Sequence, residues 1–304
     1  MSSGRFAPSP TGRLHLGNLR TALLAWLFAR STGSPLHLRF DDLDTGSVRD
    51  EHYDTQRDDL TALGLDWDGD PIRQRDRLDR YRHALDRLRA LDVLYPCYCS
   101  RREIREAAQA PNRPLAGHGY PGTCRRLDAT GRAARDASGR RPAWRLRTEA
   151  ASYHLVDRLR GEVSVELDDF VVERNDGTPA YHLVTVVDDD ALAVELVVRG
   201  DDLLDSTGRQ LLVADLLGLR RAEHAHVPLV LSPDGERLAK RHGAVTLPDR
   251  MARGESPLDV LRFLAASLDL PGAAEATGPA DLLPGFDPDR LPTEPLVLPV
   301  DDLT

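Results

Sequence analysis

Lysine is all but missing from this chain. Of its 40 basic residues, only Lys240 is lysine and the rest are arginine; the bias reflects genome composition and makes the exception informative. Cysteine is scarce as well. Three residues, an odd number, exclude a fully paired disulfide framework and fit a reducing compartment. No run of about 18 apolar residues is available to cross a bilayer, and the N-terminus has no charged head followed by an apolar stretch of the secretory kind. A cytoplasmic enzyme, with no membrane and no obligate protein partner, is the expectation. Positive charge in bulk is also lacking: the formal net charge of -9 argues against a protein that coats nucleic acid electrostatically and leaves only a local basic face. There is no internal repeat. What is present is 304 residues, 41% hydrophobic and 29% charged, enough for a sizeable core in one large domain or two smaller ones.

The chain alternates. "GRFAP" (4–8) reads as a strand running into a turn, and residues 15–30 carry apolar side chains at helical spacing. "PLHLRF" (35–40) reads as a strand, and 49–63 and 76–91 as amphipathic helices. Strand, helix, strand, helix predicts a parallel sheet with crossover helices. From Tyr95 to about Glu166 the rhythm is lost to cysteine, glycine, proline and arginine, the pattern of an insertion. Alternation resumes with "AYHLVTVVDD" (180–189), "LAVELVVRG" (192–200), a helix near 206–217 and "AHVPLVL" (225–231). The tail holds one good helix, 257–270, before a Pro-rich stretch of weak structure. The expected organisation is therefore a catalytic α/β domain in two halves, 1–94 and 167–245, an insertion at 95–166 and a short helical tail at 246–304.

Two stretches point to phosphate chemistry. In "GRFAPSPTGRLHLGNLRTALLAWLFAR" (4–30) a strand turns sharply into a helix, which leaves first-turn N–H groups to face a crevice. Gly12 and Gly17 permit close backbone approach, and His15 can donate to a phosphate oxygen. The plain alternative is a histidine that caps the helix beside a packing glycine. The second stretch, "DGERLAKRHGA" (234–244), places the sole lysine in a polar, glycine-flanked loop, where a compact ammonium on a flexible stem suits a phosphate whose charge moves during reaction.

Together "HLGN" (His15–Asn18) and "RLAKR" (Arg237–Arg241) resemble the two signatures of class I aminoacyl-tRNA synthetases. With "RFDDLDTGSVRDEHYDTQRDDLTALGLDWD" (39–68) and "RGDDLLDSTGRQ" (199–210), the chain is similar to glutamyl-tRNA synthetases over nearly all of residues 4–245. The resemblance implies a Rossmann-like fold, ATP as substrate with Mg2+, and attack of a glutamate carboxylate on the α-phosphate to give glutamyl-adenylate. It assigns His15 and Lys240 to catalysis, Gly17, Asn18 and Lys240 to the nucleotide, and Arg5, Ser9, Asp41, Tyr181 and Arg199 to glutamate. Guanidinium forks for carboxylates and a carboxylate for the ammonium agree with that assignment. Two departures stand out. The family usually has glutamate at position 41, so either the backbone moves in or Asp42 shares the task. Arg237 and Ala239 replace a lysine and a serine of the mobile loop.

Cys97, Cys99 and Cys124 all fall in the 95–166 insertion, a grouping that suits a structural zinc ion with four tetrahedral ligands. His118 is the ordinary chemical choice for the fourth; the family's similar knuckle implies Tyr120. Around it, residues 125–147 hold eight arginines against two aspartates, a patch able to follow an RNA backbone. About sixty residues follow Lys240, too few for a large anticodon-reading region. The chain therefore resembles the shortened glutamyl-queuosine tRNA(Asp) synthetase family, which implies transfer of activated glutamate to queuosine at the wobble position of tRNA(Asp). A truncated synthetase charging tRNA(Glu) and a non-catalytic RNA-binding relative are the other readings.

Overall fold

A computed structural model describes residues 3–108, 120–149, 152–238 and 245–300. The chain runs β1 (Ser3–Phe6), α1 (Leu16–Ser31), β2 (Leu36–Phe40), α2 (Glu51–Ala62), β3 (Ile72–Arg73) and α3 (Leu78–Ala90). It continues through β4 (Leu94–Cys97), α4 (Arg101–Ala108), α5 (Ala129–Asp136), β5 (Ala143–Leu146), β6 (Ser152–Asp157), β7 (Gly161–Glu166) and β8 (Phe170–Glu173). Then follow α6 (Tyr181–Ala191), β9 (Val194–Gly200), α7 (Leu204–Leu217), β10 (Glu223–Val227), β11 (Val230–Leu231), α8 (Leu247–Ala252), α9 (Pro257–Ala266) and β12 (Leu296–Val297).

The main sheet has seven strands in the order β3-β2-β1-β9-β10-β6-β7. All neighbours are parallel except the β6–β7 hairpin. The expected α/β architecture is thus the observed one, and the chain order reverses at β1–β9, where a doubly wound sheet opens its crevice at the carboxyl ends of the strands. A second, antiparallel sheet joins β4, β5 and β8. The sheets do not divide at residue 166: β6 and β7, inside 95–166, extend the main sheet, whereas β8, beyond it, completes the small one.

Helix α1 is buried nearly all round, with Leu16, Leu19, Leu23, Leu24 and Leu27 fully enclosed, as expected of a helix covered by the sheet on one side and by another layer on the other. That second layer is the tail. Leu264, Leu270, Ala276, Leu282 and Leu298 enter the same core, and Phe286 meets Phe28 edge to face at 5.2 Å. Buried Arg20 fixes the contact, donating to the Pro228 carbonyl at 2.8 Å and the Ser267 carbonyl at 3.1 Å. The Pro-rich stretch is more ordered than its composition predicts: Pro279 and Pro288 open short 3-10 turns, and β12 pairs in parallel with β11. Residues 181–191 form helix α6 despite their valines, with Leu183, Val184 and Val186 buried. No helix among the described residues is long and apolar enough to cross a membrane.

Candidate active site

The site is assembled at the carboxyl ends of β1, β2 and β9. At one end, His15 caps α1. Its Nδ1 accepts from the Asn18 N–H at 3.2 Å, and the Asn18 side chain accepts from the His15 N–H at 3.2 Å, a reciprocal capping box. The Leu16 N–H is also taken, by the Val245 carbonyl at 2.7 Å. Of the three first-turn donors expected to face the crevice, two therefore serve the fold, which leaves Gly17. Because Nδ1 accepts, the ring proton sits on Nε2, and burial, reinforced by the charge of Arg237, pulls the imidazole down to about 4. His15 is thus both the helix cap and a neutral Nε2–H donor at physiological pH. A Cβ on Gly17 would come within 3.0 Å of that ring; the glycine makes room for His15 itself, not only for a nucleotide.

The loop between β1 and α1 is clamped by α2. Gln56 donates from one amide nitrogen to the carbonyls of Ser9 at 3.0 Å and Gly12 at 2.6 Å. One turn on, Asp59 holds Arg13 at 3.3 Å. Ser9 itself is exposed. Lys240 lies outside the described residues. The segment's described flanks return to α1: Leu238 is buried in the main core, and Thr246 bridges to His15.

At the other end lies a chain of alternating charges. Fully buried Arg39 binds Asp41 at 2.7 Å and Asp189 at 2.6 Å, and Asp189 reaches the Arg5 Nε at 3.6 Å. Arg5 also donates to the Val198 carbonyl at 3.0 Å. Desolvation raises the Asp41 carboxyl above its ordinary range, opposed by Arg39. Asp42 takes no part in this chain. Successive residues of an extended segment face opposite sides, and Asp42, fully buried, accepts from the Tyr53 hydroxyl and the Arg75 N–H. Arg199, at the end of β9, is 4% exposed, and the Tyr181 hydroxyl and the charge of Arg5 both act on its guanidinium. Arg5, Asp41, Tyr181 and Arg199 thus converge. Sequence reasoning passed over Arg39, Asp189, Gln56 and His226; for Arg39 and Asp189 the available signal was a charged side chain inside or beside an apolar stretch, as in "LHLRF" and "VTVVDD".

The three cysteines meet in space. Their Sγ atoms lie within 4.8 Å of one another, with Cys99 and Cys124 3.5 Å apart and unbonded. Tetrahedral zinc–thiolate geometry places sulfurs about 3.8 Å apart, so the cluster is consistent with a metal site. The Tyr120 hydroxyl lies 3.3 Å from the Cys97 Sγ, and its ring lies beneath the Arg145 guanidinium; His118 is outside the described residues. Two of the eight arginines in 125–147 serve the fold here, since Arg125 binds Asp169 at 2.9 Å and Arg145 is buried. Arg126, Arg132, Arg135, Arg140 and Arg141 are exposed.

Residues 3–268 match the family described as tRNA synthetases class I (E and Q), catalytic domain. The chain is 54% identical over 296 residues to a glutamyl-Q tRNA(Asp) synthetase of Nocardia farcinica, covering 97% of this chain and 93% of the relative. It is 39% identical to glutamate–tRNA ligase 2 of Syntrophus aciditrophicus, but over only 56% of that protein's length. Among solved structures, glutamate-tRNA synthetase from Elizabethkingia anophelis superposes with a TM-score of 0.84 at 26% identity, covering 99% of this chain and 69% of that one. On these matches the chain belongs to the class I glutamyl and glutaminyl tRNA synthetases and, within them, to the glutamyl-Q tRNA(Asp) synthetase family.

Proposed function

We propose that this protein activates glutamate with ATP and transfers it to queuosine at the wobble position of tRNA(Asp). The observation that carries the activation half is the convergence of Arg5, Arg199, Tyr181 and Asp41. Two guanidiniums suit the two carboxylates of glutamate, and Asp41 suits its ammonium. The glutamate α-carboxylate attacks the α-phosphorus of ATP, an oxygen–phosphorus bond forms, and the bond to pyrophosphate breaks. His15 donates its Nε2–H and Gly17 its N–H to phosphate oxygens, Asn18 holds the ring that presents the donor, and Lys240 follows the departing charge. Ser9, on the loop that Gln56 clamps, is assigned to the amino acid by the family resemblance. A queuosine hydroxyl then attacks the acyl carbon and AMP leaves. The choice of acceptor is supported by the near full-length match to a glutamyl-Q tRNA(Asp) synthetase.

Cys97, Cys99, Cys124 and Tyr120 form a donor set suited to zinc in a structural role, with the exposed arginines of and around α5 placed to follow the RNA backbone. Cys124→Ser is expected to release the metal, read by metal analysis of the purified protein, and to loosen the segment around it. The function is tested with ATP, labelled glutamate and three RNAs. Label on queuosine-containing tRNA(Asp), with none on unmodified tRNA(Asp) or tRNA(Glu), is the expected result. Charging of tRNA(Glu) would identify a conventional synthetase, and absence of glutamate-dependent pyrophosphate exchange a non-catalytic RNA-binding protein.

A further inference from the structure

Arg199 is held without being neutralised. Its Nε donates to His226 Nε2 at 3.1 Å, Nη1 to the Gln210 side-chain oxygen at 2.7 Å, and Nη2 to Thr207 Oγ1 at 2.7 Å and the Leu203 carbonyl at 3.3 Å. Every one of these acceptors is uncharged. Among the described residues no carboxylate lies within ion-pair distance of this guanidinium. The carboxylate that anchors the set, Asp157, stands one ring away, 2.6 Å from His226 Nδ1, and both side chains are fully buried. Asp157 is itself fixed by the N–H groups of Leu159, Arg160 and His226.

The bonding leaves one arrangement of protons. A guanidinium only donates, so His226 Nε2 must be bare and Nδ1 must carry the hydrogen given to Asp157. The Thr207 hydroxyl, which accepts from Arg199, also lies 3.1 Å from the same Nε2. A direct Asp157–Arg199 pair would orient the guanidinium equally well but would cancel its charge. Insertion of a neutral imidazole separates orientation from neutralisation.

We propose that Asp157 and His226 are positioning residues for Arg199, a buried relay that fixes the guanidinium while leaving its positive charge for a carboxylate of the amino-acid substrate. The inference rests on the reading of Arg199 as a glutamate ligand given above. It also fits the weakened hold of Arg199 on its proton, which burial and then the charge of Arg5 lower against the opposing Tyr181 and Asp189: an arriving anion supplies compensation that the shell withholds.

The test compares His226→Leu, which removes the acceptor, with His226→Gln, whose amide oxygen replaces it. Glutamate-dependent ATP–pyrophosphate exchange gives KM for glutamate and for ATP separately. The expected result is a rise in glutamate KM of about tenfold or more in His226→Leu, an unchanged ATP KM, and recovery of most of the loss in His226→Gln. A folded His226→Leu protein with the parental glutamate KM, or with both KM values raised alike, overturns the proposal. Should neither variant fold, the 15N spectrum of the His226 ring in the parent decides: a protonated Nδ1 and bare Nε2 near pH 7 are required, and a proton on Nε2 overturns the relay. A parent with no glutamate-dependent exchange would remove the functional reading, yet the ring spectrum would still show whether the relay exists.

Discussion

The two ends of the cleft are built by opposite means. The proposed phosphate end is local: His15 and Asn18, three residues apart, cap each other, and Gly17 between them gives the ring its space. The proposed amino-acid end is assembled from distant parts of the chain, with Arg39 bound to Asp189, Arg5 to the Val198 carbonyl, and His226 to Asp157. Local caps can be lost without collapse, because each contributes on the order of 1 kcal/mol. A buried network of opposite charges cannot, because removal of one member strands the rest in a medium that does not solvate them. The amino-acid end should therefore couple binding to global stability, and the phosphate end should couple activity only to local geometry.

The sharpest way to break this contrast is Arg39→Leu. The side chain is fully buried and serves Asp41 and Asp189 at once, so the expected cost is about 3–5 kcal/mol, read as a fall in the urea midpoint with an unchanged slope. Any folded fraction should have lost glutamate saturation, since Asp41 no longer has its anchor. A stability loss below about 1 kcal/mol would show that the carboxylates re-pair without Arg39, and the contrast between the two ends would fall.

His15→Ala sharpens the same contrast from the other side. Loss of the cap should cost about 1 kcal/mol, whereas pyrophosphate exchange should fall by about two orders of magnitude, as for removal of one donor to a developing charge. Gly17→Ala should reproduce part of the activity loss by pressing a methyl on the ring, with circular dichroism unchanged.

This division explains what could be read from the chain. The α1 start, the clustered cysteines and the strand–helix alternation are local patterns, and they were legible, as was the parallel sheet that follows from them. The polar members of the network were not. Arg39 alternates with Leu38 and Phe40 as a solvent-facing residue of a half-buried strand would, yet β2 lies inside a sheet covered on both faces, so its polar side is interior too. His226 and Asp157 are 69 residues apart, and neither carries a local mark. The tail's order was hidden for a related reason: its prolines suggest weak structure, but what orders it is the apolar outer face of α1, whose need for cover is visible only once the sheet has taken the inner face.

The smallest expected effect tests the clamp that joins the two ends to α2. Burial, which outweighs Arg13 and the Leu14 N–H, pushes the Asp59 carboxyl up to about 6. A raised acid binds more protons folded than unfolded between about pH 4 and pH 6, so its contribution to stability is present at low pH and is lost as pH rises through that window. His15, pulled down to about 4, acts in the opposite sense: the folded state binds fewer protons there, so its contribution grows with pH between about 4 and 6.5. Buried His182, His224 and His226, also held below the ordinary imidazole range by desolvation, act in the same sense as His15. Asp59→Asn keeps an acceptor for Arg13 and the Leu14 N–H but removes the titration, so its stability should rise between pH 4 and 6 relative to the parent by an amount on the order of 1 kcal/mol, after allowance for solvent screening. Urea unfolding of both proteins across that range measures the difference directly. A variant whose pH profile superimposes on the parent's would mean that the Asp59 carboxyl ionises as freely in the fold as out of it, and the α2 clamp would then hold the loop through Gln56 alone.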